Sequence, residues 1–134
     1  MSYVLAIDQG TTSTRAIVFD KYLQIVASSQ KEIEQFFPFA GWVEHDLEEI
    51  YATVIATVRD AVKGAKISSQ DILSIGITNQ RETTAIWNAE TGQALSKAIV
   101  WQDRRTSEFC NELKKNGKER VYPVSYTHLR AHET

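Results

Sequence analysis

Two apolar runs with a polar knot between them open the chain. Tyr3 to Ile7 is apolar enough for a buried strand, Arg15 to Phe19 for a second, and Gly10 to Thr14 forms the turn that joins them. Gln24 to Ile33 alternates loosely, with Ile25, Val26 and Ile33, and predicts a third strand paired to the second across a turn at Lys21 and Tyr22. Phe36 to Trp42 is an aromatic loop broken by Pro38 and Gly41, able to stack on a ligand ring but more often used to plug the open end of a core. From Leu47 to about Lys63 the positions Ile50, Tyr51, Val54, Ile55, Val58, Ala61 and Val62 fall on one helical face. Asp46 with Glu49 supplies a capping box for that helix, and Gly64 is placed to end it. Ser68 with Asp71 hints at another cap. Ile72 to Thr78 and Thr83 to Trp87 then predict strands, Asn88 to Gly92 a turn, and Ala98 to Trp101 a short strand. A last helix, about Thr106 to Asn116, carries Phe109, Cys110 and Leu113 on one side and stops at Gly117.

The knot carries chemistry. Gly10 removes the side chain that would keep a phosphate from the backbone, while Thr11, Thr12 and Ser13 add hydroxyl donors beside free backbone N–H groups. Asp8 ends the first strand at the same spot, where an acid can hold Mg²⁺, directly or through its waters, and Arg15 can add a fixed positive charge. D-x-G followed by Thr and Ser is equally the composition of any tight hairpin. The stretch is not a Walker-type loop, since G-x-x-x-x-G-K-[ST] is absent, and not a dinucleotide fingerprint, because a strand follows the glycine where that motif requires a helix. If it binds phosphate, the nucleotide site is built on a β-hairpin.

Composition narrows the class. With 134 residues, 43% of them apolar, the chain suffices for one domain with a core. A net charge of −2 and a pI near 5.9 offer no basic patch for nucleic acid or anionic lipid, which favours small-molecule partners. The lone Cys110 permits no intrachain disulfide, the N-terminal run is cut short by Asp8 before it can serve as a signal peptide, and no apolar segment approaches spanning length. The expected location is cytoplasmic.

Two polar clusters sit where predicted strands stop, Asn79 to Glu82 and Gln102 to Arg105, and ligands of α/β sheets bind at strand ends. Arg81 and Glu82 together can hold a polyol, one donating and the other accepting hydrogen bonds, and Trp101 offers a flat apolar face for a carbon skeleton. The competing account makes Arg81 to Glu82 and Asp103 to Arg104 solvated ion pairs and Trp101 a core residue. Glu44-His45-Asp46 resembles a metal cluster, but adjacent residues diverge in a regular backbone and Asp46 is better used as a helix cap.

Four stretches in order, Asp8-Gln9-Gly10-Thr11-Thr12-Ser13-Thr14-Arg15, Gly41 to Asp46, Ile77 to Thr84 and Ala98 to Thr106, closely resemble the glycerol kinases of the F-G-G-Y carbohydrate kinase superfamily. The resemblance spans residues 3 to about 120, which it marks as an N-terminal carbohydrate kinase domain, incomplete, over residues 1–120. It implies a ribonuclease-H-like, actin-like ATPase α/β domain with a mixed sheet, a β-hairpin phosphate loop and packed helices, the first of two that close over the substrates. It also implies Mg²⁺-dependent transfer of the γ-phosphoryl group of ATP to glycerol, giving glycerol 3-phosphate and ADP. Carried onto matching positions, Thr11, Thr12 and Ser13 contact ATP phosphates, Arg15 the ADP end, and Thr11 also the product phosphate. Arg81 and Glu82 then bind glycerol hydroxyls, Trp101 packs on its carbons, and Asp8 lies beside metal and phosphates. A homo-oligomeric parent enzyme is compatible with the resemblance.

Resemblance stops at Arg120. Residues 121–134 lack the further glycerol-contacting tyrosine the family carries, Tyr126 stands at the wrong spacing, and His128 with His132 has no third zinc ligand. This tail reads as a cloning or read-through scar. The family's catalytic base, adenine pocket and F-G-G-Y signature lie further along the family's chain, so the 134 residues alone are expected to show negligible kinase activity. They are also expected to leave apolar surface uncovered and to aggregate. The alternative is a non-catalytic module that binds ATP or a polyol without turnover.

Overall fold

The computed structural model describes residues 2–117. The tail at 121–134, with Tyr126, His128 and His132, lies outside the described residues. Two compact units divide the chain after Asp103. The first holds a four-stranded mixed sheet in the order β3-β2-β1-β5, from β1 (Tyr3–Gln9), β2 (Ser13–Phe19), β3 (Ile25–Glu32) and β5 (Ile72–Asn79). Between β3 and β5 come β4 (Glu44–His45) and the helix α1 (Leu47–Ala65), and β6 (Ala98–Ile99) pairs with β4 in a second small sheet. The second unit contributes, among the described residues, the helix α2 (Ser107–Lys115).

Alternation in β1 and β2 sets the layers. Leu5, Ile7, Ala16 and Val18 point to one face, where they are buried with Ala61 of α1, and Val54, Val58 and Ile72 pack around them. The opposite face carries Asp8 and Arg15, which stand opposite each other across the antiparallel β1–β2 pair. β5 joins β1 in parallel, and α1 makes the crossover that such a pair requires. Parallel pairing brings Gln9 level with Asn79, so the hairpin tip and the loop after β5 leave the sheet side by side.

Local chemistry explains most boundaries and corrects several expectations. Asp46 caps α1, its Oδ1 accepting from the Glu48 and Glu49 N–H groups at 2.9 and 3.4 Å. The reciprocal half of a capping box is missing, because the Glu49 carboxylate instead accepts from Glu34 N–H at 3.0 Å. Burial by itself would raise the Asp46 pKa, but hydrogen bonds from Lys97 and from Glu49 and Glu48 N–H, with the Lys97 charge, hold the carboxyl below its usual value. Gly64 does not end the helix. The helix continues to Ala65 and Lys66 takes the left-handed cap at φ 55°, while a Cβ on Gly64 would meet the Ala27 Cβ of β3 at 3.5 Å, an ordinary packing distance. Tyr51, expected on the core face, is exposed, and Thr57 is buried in its stead, its hydroxyl bonded to the carbonyls of Thr53 and Val54.

Thr83 to Trp87 is no strand. It pairs only at isolated positions, Thr84 with Ile99 and Trp87 with Ala94, around a turn in which Asn88 Oδ1 accepts from Glu90 and Thr91 N–H. The aromatic loop plugs no core, since Phe37 and Phe39 are exposed; Phe39 packs edge-on against Trp42 with ring centroids 5.0 Å apart. Leu73, Ile75 and Ile77 of β5 are also exposed, because α1 lies over β2 and β3 and only reaches β1. Among the described residues no helix is long and apolar enough to cross a membrane.

Candidate functional site

The hairpin tip is a tight reversal in which Gly10 N–H donates to the Ser13 carbonyl at 2.9 Å and Ile33 N–H donates to the Thr12 carbonyl at 3.0 Å. The N–H groups of Thr11 and Thr12 donate no backbone hydrogen bond among the described residues, which leaves two adjacent donors at the tip. A Cβ on Gly10 would sit 3.2 Å from the Ser13 carbonyl oxygen, closer than a backbone neighbour tolerates without moving. Gly10→Ala is therefore expected to displace the tip and weaken ATP binding roughly tenfold, equivalent to about 1.4 kcal/mol. Calorimetric titration with ATP and Mg²⁺ checks this.

On the sheet face away from α1, Arg15 does not stand alone. Its Nε donates to Gln30 Oε1 at 2.9 Å, and Gln30 Nε2 donates to Ser13 Oγ at 3.0 Å, so a residue of β3 ties the arginine to the hairpin hydroxyl. Gln30 went unnoticed in the sequence, where only its register opposite Arg15 could have marked it. The Asp8 carboxylate, on the same face at the end of β1, makes no hydrogen bond or ion pair among the described residues. An exposed carboxylate of this kind suits Mg²⁺, which takes one or two protein oxygens and keeps its waters.

The acceptor candidates lie against this tip. Trp101 Nε1–H donates to Thr11 Oγ1 at 2.9 Å, which joins two residues ninety positions apart in the chain. Trp101 is 51% exposed, so it is no core residue. Arg81 and Glu82 follow β5 in the loop beside the tip. Both are exposed, and Glu82 adopts φ 63°, a left-handed conformation that costs a non-glycine residue energy and turns the chain sharply after Arg81. Asp103 binds the main chain: its Oδ2 accepts from Val43 N–H at 2.7 Å.

Beneath the loop runs a partly buried polar network of which the sequence gives no sign. Gln80 N–H donates to the Gln9 carbonyl at 2.7 Å, and its side-chain Nε2 lies 3.3 Å from Gln9 Oε1 and 3.2 Å from His45 Nδ1. Gln80 Oε1 accepts from Thr83 Oγ1 at 2.9 Å, and Thr83 Oγ1 in turn accepts from Trp101 N–H at 3.4 Å. His45 is wholly buried, and among the described residues its Nε2 has no partner. Burial pushes its imidazole below the ordinary value of 6.5, against the opposing pull of the Glu49 charge. A base whose folded pKa is depressed favours folding fully above its unfolded pKa and loses that contribution as pH falls through 6.5 toward the folded value. The melting temperature is thus expected to drop between neutral and mildly acidic pH, and to drop less in His45→Gln; thermal melts across that range decide it.

A hairpin with two free backbone N–H groups thus stands at the end of a mixed sheet, beside the loop that follows β5, on a domain of the kind found in carbohydrate kinases. The family model of the FGGY family of carbohydrate kinases, N-terminal domain, matches residues 3–133, and the chain belongs to that family. Among its relatives, the glycerol kinase of Sinorhizobium fredii is 59% identical over 120 residues, which make up 90% of this chain and 24% of that protein; the Rhizobium meliloti glycerol kinase is 58% identical over 120 residues with the same coverage. The chain thus spans about a quarter of the length of the curated relatives it matches. The crystal structure of Plasmodium falciparum glycerol kinase with ADP superimposes at a TM-score of 0.76 with 40% identity, covering 84% of this chain and 23% of the other. A ligand-bound xylulose kinase from Lactobacillus acidophilus reaches a TM-score of 0.83 at 23% identity, over 92% of this chain and 24% of the other, a likeness of fold. The actin-like ATPase fold expected from the resemblance is the fold of these neighbours.

Proposed function

We propose that this chain supplies the phosphate-holding and acceptor-binding part of an enzyme that transfers the γ-phosphoryl group of ATP to glycerol. The observation that carries the reading is the hydrogen bond from Trp101 Nε1 to Thr11 Oγ1, which couples a residue of the acceptor side to a residue of the phosphate side. The 59% identity to a glycerol kinase and the ADP named with the Plasmodium structure favour glycerol and ATP among the substrates that sugar kinases use.

In this reading the Thr11 and Thr12 N–H groups, with the hydroxyls of Thr11, Thr12 and Ser13, hold the ATP phosphates where Gly10 lets them approach. Arg15 places a positive charge at the ADP end, and Asp8 holds Mg²⁺ directly or through water. The metal, when bound, offsets the charge of the phosphates. Arg81 donates to glycerol hydroxyls, Glu82 accepts from them, and the Trp101 ring covers the carbons. The terminal hydroxyl oxygen forms the new bond to the γ-phosphorus as the bond from phosphorus to the β,γ-bridging oxygen breaks, and ADP leaves with that oxygen. The hydroxyl proton passes to a base that the resemblance places further along the family's chain. What these residues contribute is orientation, which is the larger part of phosphoryl transfer.

An assay of the polypeptide that carries this domain in its native gene, with ATP, Mg²⁺ and glycerol, is expected to give glycerol 3-phosphate and ADP in equal amounts. Preference for xylulose over glycerol, or ADP formation indifferent to glycerol, would contradict the proposal.

A further inference from the structure

We propose that His45 is a positioning residue for the acceptor substrate, acting through Gln80 to fix the Arg81–Glu82 turn and the backbone at Trp101. The inference rests on the reading of Arg81, Glu82 and Trp101 as the glycerol-binding residues.

The partners of Gln80 set which way each bond around it runs. Gln80 Nε2 carries two, and its two acceptors are Gln9 Oε1 and His45 Nδ1. His45 Nδ1 must therefore be unprotonated, which puts the imidazole proton on Nε2. With its amide nitrogen committed in this way, Gln80 can only turn its oxygen to Thr83, whose hydroxyl then has a lone pair left for Trp101 N–H. The chain of bonds runs from β4 through the loop to the backbone of Trp101. Arg81 and Glu82 lie between two of its anchors, Gln80 and Thr83, at the point where the backbone enters the left-handed region.

The arrangement is costly if stability were its only purpose. A wholly buried imidazole keeps an Nε2–H with no partner among the described residues, a donor that an apolar side chain of similar size would not bring. What an apolar residue cannot do is accept from Gln80. The hairpin depends less on this link, since Gln9 Nε2 is held separately by the Gly10 carbonyl at 2.8 Å. Loss of His45 should therefore fall on the acceptor side and spare the phosphate side.

The test uses the polypeptide that carries this domain in its native gene, followed by proton–nitrogen NMR. In the wild type, His45 Nδ1 is expected to appear as an unprotonated acceptor nitrogen at neutral pH; a proton on Nδ1 overturns the proposal without any mutation. His45→Phe is expected to shift the backbone signals of Arg81, Glu82 and Trp101 and to weaken glycerol binding roughly tenfold, as small misplacements of binding groups do, with ATP affinity unchanged. His45→Gln, whose side-chain oxygen can accept the same hydrogen bond, is expected to restore both. Unchanged signals and glycerol affinity in a folded His45→Phe chain overturn the proposal, and so does an equal loss of ATP and glycerol affinity. Should His45→Phe fail to fold, the wild-type tautomer and the behaviour of His45→Gln decide. A wild-type chain that binds no glycerol would count against the functional reading instead, and the signals of Arg81, Glu82 and Trp101 would still judge the role of His45.

Discussion

Glu82→Ala is expected to weaken glycerol binding about 10- to 100-fold and to leave ATP affinity unchanged, because a hydrogen bond to a charged group contributes about 1.5–3 kcal/mol. In the proposed site the carboxylate accepts from the glycerol hydroxyls, and alanine offers no acceptor. Strain must be separated from charge at this position, since Glu82 sits at φ 63°. Glu82→Gly relaxes the backbone and removes the carboxylate at once; it is expected to lose glycerol affinity as Glu82→Ala does while melting at a higher temperature. Arg81→Ala should resemble Glu82→Ala in the glycerol titration. If the alanine variants bind glycerol as tightly as the wild type, the loop is not the acceptor site.

The largest effect on stability is expected from Leu5→Ala, about 3 kcal/mol, measured by urea unfolding. Leu5 is 1% exposed at the centre of the sheet and touches the layer formed by α1, which cannot collapse into the space because its buried positions are already small, Thr57 and Ala61. Core residues around it are few, so one cavity removes a large share of the apolar burial that holds α1 on the sheet. Tyr22→Ala, at the exposed turn before β3, serves as the contrast and should change stability by less than about 0.5 kcal/mol.

Where the sequence was legible, local chemistry and periodicity agreed. Alternating apolar positions flanking Gly10 announce β1 and β2, and Asp46 before a helical stripe announces α1, because each signal is contained in the segment it describes. Tyr51 and Gly64 were misjudged for a shared reason: which way α1 turns, and how near β3 comes, are set by tertiary contact with Ala27 and the sheet. Thr83 to Trp87 has the composition of a strand, but its partners Ile99 and Ala94 meet it at single positions only. Asp8, Gly10, Thr11 and Trp101 could be named as candidates from residue type alone. The approach of Trp101 to Thr11 could not, since it is a contact between residues ninety positions apart and periodicity carries no information about partners. The same holds for His45, whose neighbours in sequence suggested a metal cluster and whose neighbours in space are Gln80 and a closed polar network.

In the proposed enzyme the phosphate hairpin and the acceptor loop form one site, joined at Trp101 and Thr11. The most direct measurement follows the Trp101 indole N–H and the Thr11 backbone N–H by NMR while the chain is titrated with ATP and Mg²⁺, and separately with glycerol. The nucleotide is expected to shift Thr11 and, through its hydroxyl, the Trp101 indole, while glycerol is expected to shift the Trp101 indole together with Arg81 and Glu82. Shifts from either ligand confined to residues remote from both Thr11 and Trp101 would contradict a joined site.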